Sequence, residues 1–342
     1  MLARKFEEQV KKTPFNLAVK TIEREYTYEE LNRYANGIAQ RITAAAAGET
    51  AALLFEHGVH MIAAILGALK AGKVYVPLSS DYPAGRLSYM LSDSGAAILL
   101  TDTQNLPMAQ ELSRAKDIPV VNIDGGDLPP GADESDPVRD IAPDKPAYIL
   151  YTSGSTGRPQ GVLQTHENAD YYNRSWVRKF SITASDRMTL FSSFCHDGSV
   201  QDMYSALYSG AALFPVNMRN SGIMVKLSEF LLTERITIWH SVPSLFTFFA
   251  NTLDGSRSFP DLRFILLGGE AVREHEVEMC NKYFPHSKLA NVYGQTESSV
   301  NAIHIFPQGG KYKKPLLGAP LDKTRLFLVN EDGDPVKTLQ TG

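Results

Sequence analysis

The residues best suited to chemistry lie in one short stretch, YILYTSGSTGRPQGV at 148–162. An apolar run stops there and gives way to Thr152, Ser153, Gly154, Ser155, Thr156 and Gly157, then Arg158, Pro159 and Gln160. A strand that runs into a Gly/Ser/Thr loop presents backbone N–H groups and hydroxyls to an anion, and its glycines let the backbone close on the ligand. The chemistry implied is phosphate binding. Spacing excludes two common phosphate loops. The Walker loop ends in Gly-Lys-Ser/Thr after four intervening residues, which GSTGRPQG does not supply. The dinucleotide turn needs Gly-x-Gly-x-x-Gly, which TSGSTG does not supply. Gln160 donates hydrogen bonds without carrying charge. A Ser/Gly linker has the same composition, but the strand before the loop and Pro159 at its exit favour an ordered one.

Such a loop needs a layered scaffold. Residues 2–12 form a helix, with Phe6 and Val10 four apart among charges. The helix at 26–42 opens on a capping box, Thr27 with Glu30 three residues on, and carries Leu31, Tyr34, Ala35, Ile38 and Ile42 as an apolar stripe. Strand 50–55, helix 60–72 ending at Gly72, strand 73–78, helix 84–95 and strand 96–101 follow in βαβ rhythm. The segment 124–137 is a polar loop rich in Pro, Gly and Asp. A second series runs from strand 146–152 to strand 288–292. Its helices are 168–179, 199–209, 223–234, 243–253 and 271–282, and its intervening strands are 188–191, 211–215, 236–239 and 263–267. After about 310 the pattern becomes antiparallel β, with a turn at Glu331-Asp332-Gly333. The predicted fold is α/β: two βαβ-type subdomains with parallel-rich sheets, dividing near 190–210 within residues 1–310. Residues 311–342 would start a small β-barrel subdomain. The site should lie where these parts meet, at the C-terminal ends of strands.

Composition narrows the class. The chain has 342 residues, is 43% hydrophobic and carries a net charge of −4. It has no basic excess to suggest nucleic acid or an anionic membrane, and no apolar run long enough to span a bilayer. Two cysteines, Cys195 and Cys280, make neither a disulfide framework nor a metal-ligand pattern and read as free thiols. The N-terminus lacks the apolar core of a signal peptide. A monomeric cytoplasmic protein is expected.

The loop YTSGSTGRPQGV resembles the phosphate loop of the adenylate-forming enzymes, and of the adenylation domains of nonribosomal peptide synthetases in particular, which reads Tyr-Thr-Ser-Gly-Ser-Thr-Gly-x-Pro-Lys-Gly-Val. Other segments are similar to that family's motifs in the family's order: YTYEELN (26–32), LKAGKVYVPLSSDYPAGRLSYMLSDSGAAILLT (69–101), HDGSVQDMYSALYSGAAL (196–213) and NVYGQTESS (291–299). The resemblance implies an enzyme that joins an amino-acid carboxylate to the α-phosphate of ATP, releases pyrophosphate, and passes the acyl group to the phosphopantetheine thiol of a peptidyl carrier protein beside other synthetase domains. It implies that Thr152, Ser153, Gly154, Ser155, Thr156 and Gly157 hold the β- and γ-phosphates. Thr296 bonds the α-phosphate and Glu297 holds Mg²⁺, a hard cation suited to carboxylate and phosphate oxygens. Tyr293 stacks on the adenine, Asn291 bonds its exocyclic amine, and Gly269, Glu270 and Ala271 line its other side.

By the same resemblance Asp197 pairs with the substrate's α-amino group, although as a plain helix residue it would serve equally as an N-cap. His196, where amino-acid-activating relatives usually have Phe, would stand near the substrate carboxylate. The remaining pocket positions are Gly198, Gln201, His240, Leu266, Gly268, Val292, Val300 and Asn301. With no acid besides Asp197 among them, a polar, Gln- or Glu-like side chain is the expected substrate. Gln160 stands in place of the family's lysine, and Gln295 in place of a proline. The chain ends before the family's Thr-Gly-Asp segment and its C-terminal lid subdomain, so weak activity is expected of it alone. The competing readings are an acyl- or aryl-CoA ligase of the same superfamily and a catalytically weak binding fragment.

Overall fold

The computed structural model describes residues 1–45, 48–114, 116–124, 136–137, 141–154, 157–218, 222–310, 312 and 316–336. The first half contains α1 (Leu2–Lys12), β1 (Leu17–Lys20), β2 (Glu25–Thr27), α2 (Tyr28–Ala45), β3 (Thr50–Leu54), α3 (Val59–Lys70), β4 (Val74–Leu78), α4 (Ala84–Asp93), β5 (Ala96–Thr101), α5 (Leu106–Arg114), β6 (Val120–Asn122), β7 (Pro146–Thr152), β8 (Gln160–Thr165) and α6 (His166–Phe180). The second contains β9 (Arg187–Leu190), α7 (Asp197–Ser209), β10 (Ala212–Pro215), α8 (Ile223–Thr233), β11 (Ile238–Ser241), α9 (Pro243–Ala250), β12 (Phe264–Gly268), α10 (Glu274–Tyr283), β13 (Lys288–Gln295), β14 (Ser299–Ile305) and β15 (Ala319–Pro320).

The strands form two sheets. One has the order β6-β5-β3-β4-β7-β8, parallel except at β7–β8. The other has the order β15-β14-β13-β12-β11-β9-β10-β1-β2, parallel from β13 to β1 and antiparallel at both ends. Parallel strands buried on both faces send alternate residues to opposite layers. On β3, Ala51 and Leu53 point into the core shared by the two sheets, while Ala52 and Leu54 pack with α4 and α5. On β12, Leu266 joins the shared core, while Ile265 and Leu267 pack with α8, α9 and α10. The architecture is therefore five layers: α4/α5, sheet, a middle layer of α1, α2, α3, α6 and α7, sheet, and α8–α10. Being covered on all sides explains why α3 is apolar around its whole circumference; its Lys70 is buried only because it pairs with Glu7 and Asp136.

Local signals are realised where they are strong. The capping box forms: Thr27 N–H donates to Glu30 Oε2 (2.8 Å) and Glu30 N–H to Thr27 Oγ1 (3.2 Å). The turn near 331–333 forms too, closed by an antiparallel bridge between Val329 and Pro335. Two features depart from the sequence-based reading. Sheet membership changes between Thr165 and Arg187, earlier than 190–210, because β9 already pairs with β10 and β11 of the second sheet; an additional strand, β8, returns beside β7 in the first. The N-terminal β1 crosses to the second sheet, where Val19 pairs with Leu213 of β10. Cys195 and Cys280 are both buried free thiols. Among the described residues no helix is long and apolar enough to cross a membrane.

Candidate functional site

The Gly/Ser/Thr loop joins β7 to β8 as a hairpin whose register pairs Thr152 with Gln160. Thr152, Ser153, Gly154 and Gly157 are among the described residues; Ser155 and Thr156 lie outside them. Gly154 has φ +44°, and a Cβ there would meet the Arg158 carbonyl oxygen at 2.2 Å. Only glycine suits that backbone. Gly157 N–H closes the loop on the Gly154 carbonyl at 3.2 Å. Gln160 is exposed and lies on β8, close enough that its Cγ would stand 3.2 Å from the same Gly154 Cβ.

A second hairpin, β13–β14, carries Tyr293, Thr296 and Glu297 around a tight turn. Ser299 takes φ +57°, and a Cβ on Gly294 would meet the Ser299 carbonyl oxygen at 2.0 Å. Glu297 is exposed, Thr296 is half-buried and Tyr293 is 46% exposed. The two hairpins are tied by a residue that the sequence reading missed. Buried Gln164 of β8 donates from Nε2 to the carbonyls of Thr296 (3.0 Å) and Glu297 (3.1 Å), and its Oε1 accepts from Asn168 Nδ2 (3.0 Å). The turn is thus held against the strand that leaves the Gly154 loop. Asn291 is buried on β13 and donates its amide to the Leu316 carbonyl at 2.7 Å. At the end of β12, Gly269, Glu270 and Ala271 are exposed, and Glu270 accepts from Ser244 N–H (3.0 Å) and Oγ (2.8 Å) at the start of α9.

Between these elements a cavity of about 420 Å³ opens at the start of α7. It brings together His196, Asp197, Gly198, Gln201, His240, Gly268, Gly269, Val292 and Val300, along with Phe191, Val242 and Leu245, which the sequence reading did not include. Leu266 is fully buried in the shared core and Asn301 donates its amide to Ser298 Oγ; neither lines the cavity. His196 is the residue before α7 and Asp197 its first, so Asp197 faces the positive end of the helix dipole. Burial raises the Asp197 carboxyl above its ordinary range, and the nearby His196 and His240 only partly offset this. A Cβ on Gly198 would meet Ser192 Oγ at 2.7 Å, so a larger residue there would have to displace the Ser192 hydroxyl. At the floor, His240 Nδ1 lies 2.8 Å from Oδ1 of the wholly buried Asp202. A larger cleft of about 660 Å³, lined by Lys20, His57, Asp102 and Phe214 among others, holds none of the predicted site residues.

The model of the family described as AMP-binding enzyme matches residues 6–342. The chain belongs to this family. It is 33% identical over 338 residues to bacitracin synthase 3 of Bacillus licheniformis, covering 96% of this chain and 5% of that protein. It is 29% identical over 341 residues to tyrocidine synthase 1 of Brevibacillus parabrevis, covering 98% of this chain and 30% of that protein. Among solved structures it is similar to the nonribosomal peptide synthetase FmoA3, with TM-score 0.85 and 27% identity for the AMPPNP-bound form, and 0.87 and 26% for the form bound to α-methyl-L-serine-AMP. The first alignment covers 98% of this chain and 36% of FmoA3, the second 98% and 38%. IdnL7 matches with TM-score 0.86 and 30% identity, over 98% of this chain and 70% of its own. The chain is thus matched almost end to end, yet it spans less than a third of the length of either synthase.

Proposed function

We propose that this chain is the N-terminal core of an amino-acid adenylation domain of a nonribosomal peptide synthetase, with 311–342 as the start of the β subdomain, its first strand, β15, joined to β14 of the second sheet. The observation that carries the reading is the Gln164 tether, which sets the Thr296–Glu297 turn beside the Gly154 loop. A nucleotide's phosphates between the two would meet loop amides and hydroxyls, from Thr152 to Gly157, on one side and the Thr296 hydroxyl on the other. The substrate carboxylate attacks the α-phosphorus in line and pyrophosphate leaves. The protein's share is positioning and donors preset for the developing charge. The Glu297 carboxylate is exposed and is the kind that a hard cation takes. Mg²⁺ held there would neutralise phosphate charge. Tyr293, Asn291 and the segment Gly269–Glu270–Ala271 would enclose the adenine, and the neighbours' AMPPNP and aminoacyl-AMP ligands support that use of the site.

Asp197 would select the amino acid. Its carboxylate is destabilised by burial, and a substrate ammonium is the partner that restores its charged form. The aminoacyl group then passes to the thiol of a peptidyl carrier protein. The test is amino-acid-dependent ATP–pyrophosphate exchange by the full-length protein; no exchange with any amino acid refutes the proposal. A second reading, an acyl- or aryl-CoA ligase, rests on His196 at the cavity wall. Asp197→Ala separates the two, since it sharply raises the KM for the amino acid in the first case and leaves the acid substrate's KM unchanged in the second.

A further inference from the structure

Asp202 does not line the cavity, yet it governs a group that does. It is 0% exposed, its Oδ1 pairs with His240 Nδ1 at 2.8 Å, and its Oδ2 is buried with no partner. The imidazole lines the cavity, and its Cε1, between the two ring nitrogens, lies against Gly198: a Cβ there would stand 3.6 Å away. Among the described residues Nε2 has no hydrogen-bond partner. Next to it on the cavity wall, Gln201 is 2% exposed and its Nε2 is buried and unpartnered. Unsatisfied polar atoms of this kind are costly in an apo site and are relieved by a ligand that pairs with them.

Charge decides which ligand. A lone buried carboxylate beside a neutral imidazole leaves one net charge in the interior, which is expensive. One further proton on the imidazole makes the pair neutral overall and places that proton on Nε2, facing the cavity. A side chain ending in a neutral carbonyl accepts this hydrogen bond and keeps the group neutral. A carboxylate in its place would form a third charge against Asp202 and restore a net buried charge. We infer that Asp202 is a positioning residue that holds His240 as an Nε2–H donor, and that the pocket therefore takes an amino acid with a side-chain carboxamide in preference to the acid of the same shape. This rests on the amino-acid activation proposed above.

Burial raises the Asp202 carboxyl above its ordinary range, and the charge of His240 and its hydrogen bond only partly offset this; a proton on either partner leaves the pair neutral. Burial pushes His240 towards neutrality, but the charge and hydrogen bond of Asp202, with a smaller contribution from Asp197, outweigh it and raise the imidazole above its ordinary value. The other titratable groups around it are His196 at the start of α7, and Tyr172 of α6 and Tyr148 of β7, which feel Asp197. The Nε2 proton is thus held to a higher pH than on an ordinary imidazole and is lost as pH rises through the raised value.

The test is pyrophosphate exchange by the full-length protein, with glutamine and glutamate as substrates, between about pH 6 and pH 9. Wild type should show a glutamine KM at least roughly tenfold below that for glutamate, rising at alkaline pH. Asp202→Asn should raise the glutamine KM about tenfold at neutral pH, leave the ATP KM unchanged and move the pH midpoint downward. Asp202→Glu should restore part of the loss. A purely structural role would lower activity without moving the midpoint. An unchanged glutamine KM and pH profile in Asp202→Asn overturns the inference, as does a wild-type preference for glutamate or an apolar amino acid while exchange persists. Absence of exchange with every amino acid overturns the activation reading and this inference with it. If Asp202→Asn does not fold, His240→Gln serves instead: the alkaline rise in KM should vanish, and its persistence overturns the inference.

Discussion

Gln164 offers the sharpest test of how the site is held together. Gln164→Leu keeps the volume of a side chain that is 4% exposed but removes the hydrogen bonds to the Thr296 and Glu297 carbonyls and the one from Asn168 Nδ2, which is exposed and finds water instead. Each such bond contributes a net of about 0.5–1.5 kcal/mol, so the pair to the turn contributes about 1–3 kcal/mol. Glu297 is exposed and Thr296 half-buried, so both carbonyls are near enough to solvent to find water, which puts the stability loss near the lower end. The kinetic loss should be larger in proportion, because the freed turn no longer presents the Thr296 hydroxyl and the Glu297 carboxylate at a fixed distance from the Gly154 loop. About 1.4 kcal/mol of lost transition-state positioning is a tenfold fall in kcat/KM for ATP. Urea unfolding measures the first effect and pyrophosphate exchange at varied ATP measures the second. The cavity shares Val292, Gly294 and Val300 with this hairpin, but Asp197 itself stands on α7, so affinity for the amino acid alone should fall less than the ATP kinetics. A variant with unchanged stability and unchanged ATP kinetics would show that the tether positions nothing.

Four further outcomes follow from the same geometry. Gly154→Ala places a methyl 2.2 Å from the Arg158 carbonyl oxygen on a backbone with φ +44°; it should raise the ATP KM by about tenfold while the melting temperature falls only slightly, and an unchanged KM refutes the loop's role. Asp197→Ala should raise the amino-acid KM by about a hundredfold with little change for ATP, because the ammonium loses its buried partner. Gln160→Lys adds a cation at the edge of the loop and should lower the ATP KM; equal constants mean that charge is not limiting there. Burial alone would raise the Asp186 carboxyl, but hydrogen bonds from Arg263, Thr237 and the Thr183 N–H, with the Arg263 charge, hold it below its ordinary value. A depressed carboxylate stabilises the fold above its unfolded value, near 3.9, and that stability is lost as pH falls through the lower folded value. Acid titration of unfolding should therefore show a shallower loss below about pH 4 in Asp186→Asn than in wild type.

The fold was legible wherever a segment announces itself locally. The capping box at Thr27 and Glu30, the apolar run of α3 and the alternating series from β9 to β13 carry their own periodicity. The strand departures are β1, short and paired with a remote strand, and β8, an edge strand beside its neighbour β7. Leu17–Lys20 is too short to signal a strand, and its pairing with β10 joins Val19 to Leu213. β8 was hidden because the polar residues of an edge strand, with Gln160 exposed and Gln164 turned inward, do not alternate like a buried one. Motif order named the residues around the cavity and the two hairpins. It did not show that Leu266 belongs to the core or that Asn301 bonds the turn at Ser298.

What the motifs could not name are residues that act through another side chain, and the middle layer explains where these occur. α7 lies between two sheets and cannot reach water along most of its length. Each polar residue on it must therefore find a partner inside the protein. Ser205 bonds the Gln201 carbonyl one turn back, and Asp202 crosses to His240, 38 residues away in sequence. Gln201 is left with an unpartnered amide on the wall of the cavity that adjoins the helix start, where a ligand would meet it. In HDGSVQDMYSAL the acid at 202 looks like one more helix residue, because its significance depends on burial that only the second sheet supplies. On this turn of α7 a buried polar residue is thus satisfied within the helix, as Ser205 is, paired across the layer, as Asp202 is through Oδ1, or left open on the cavity wall, as Gln201 is.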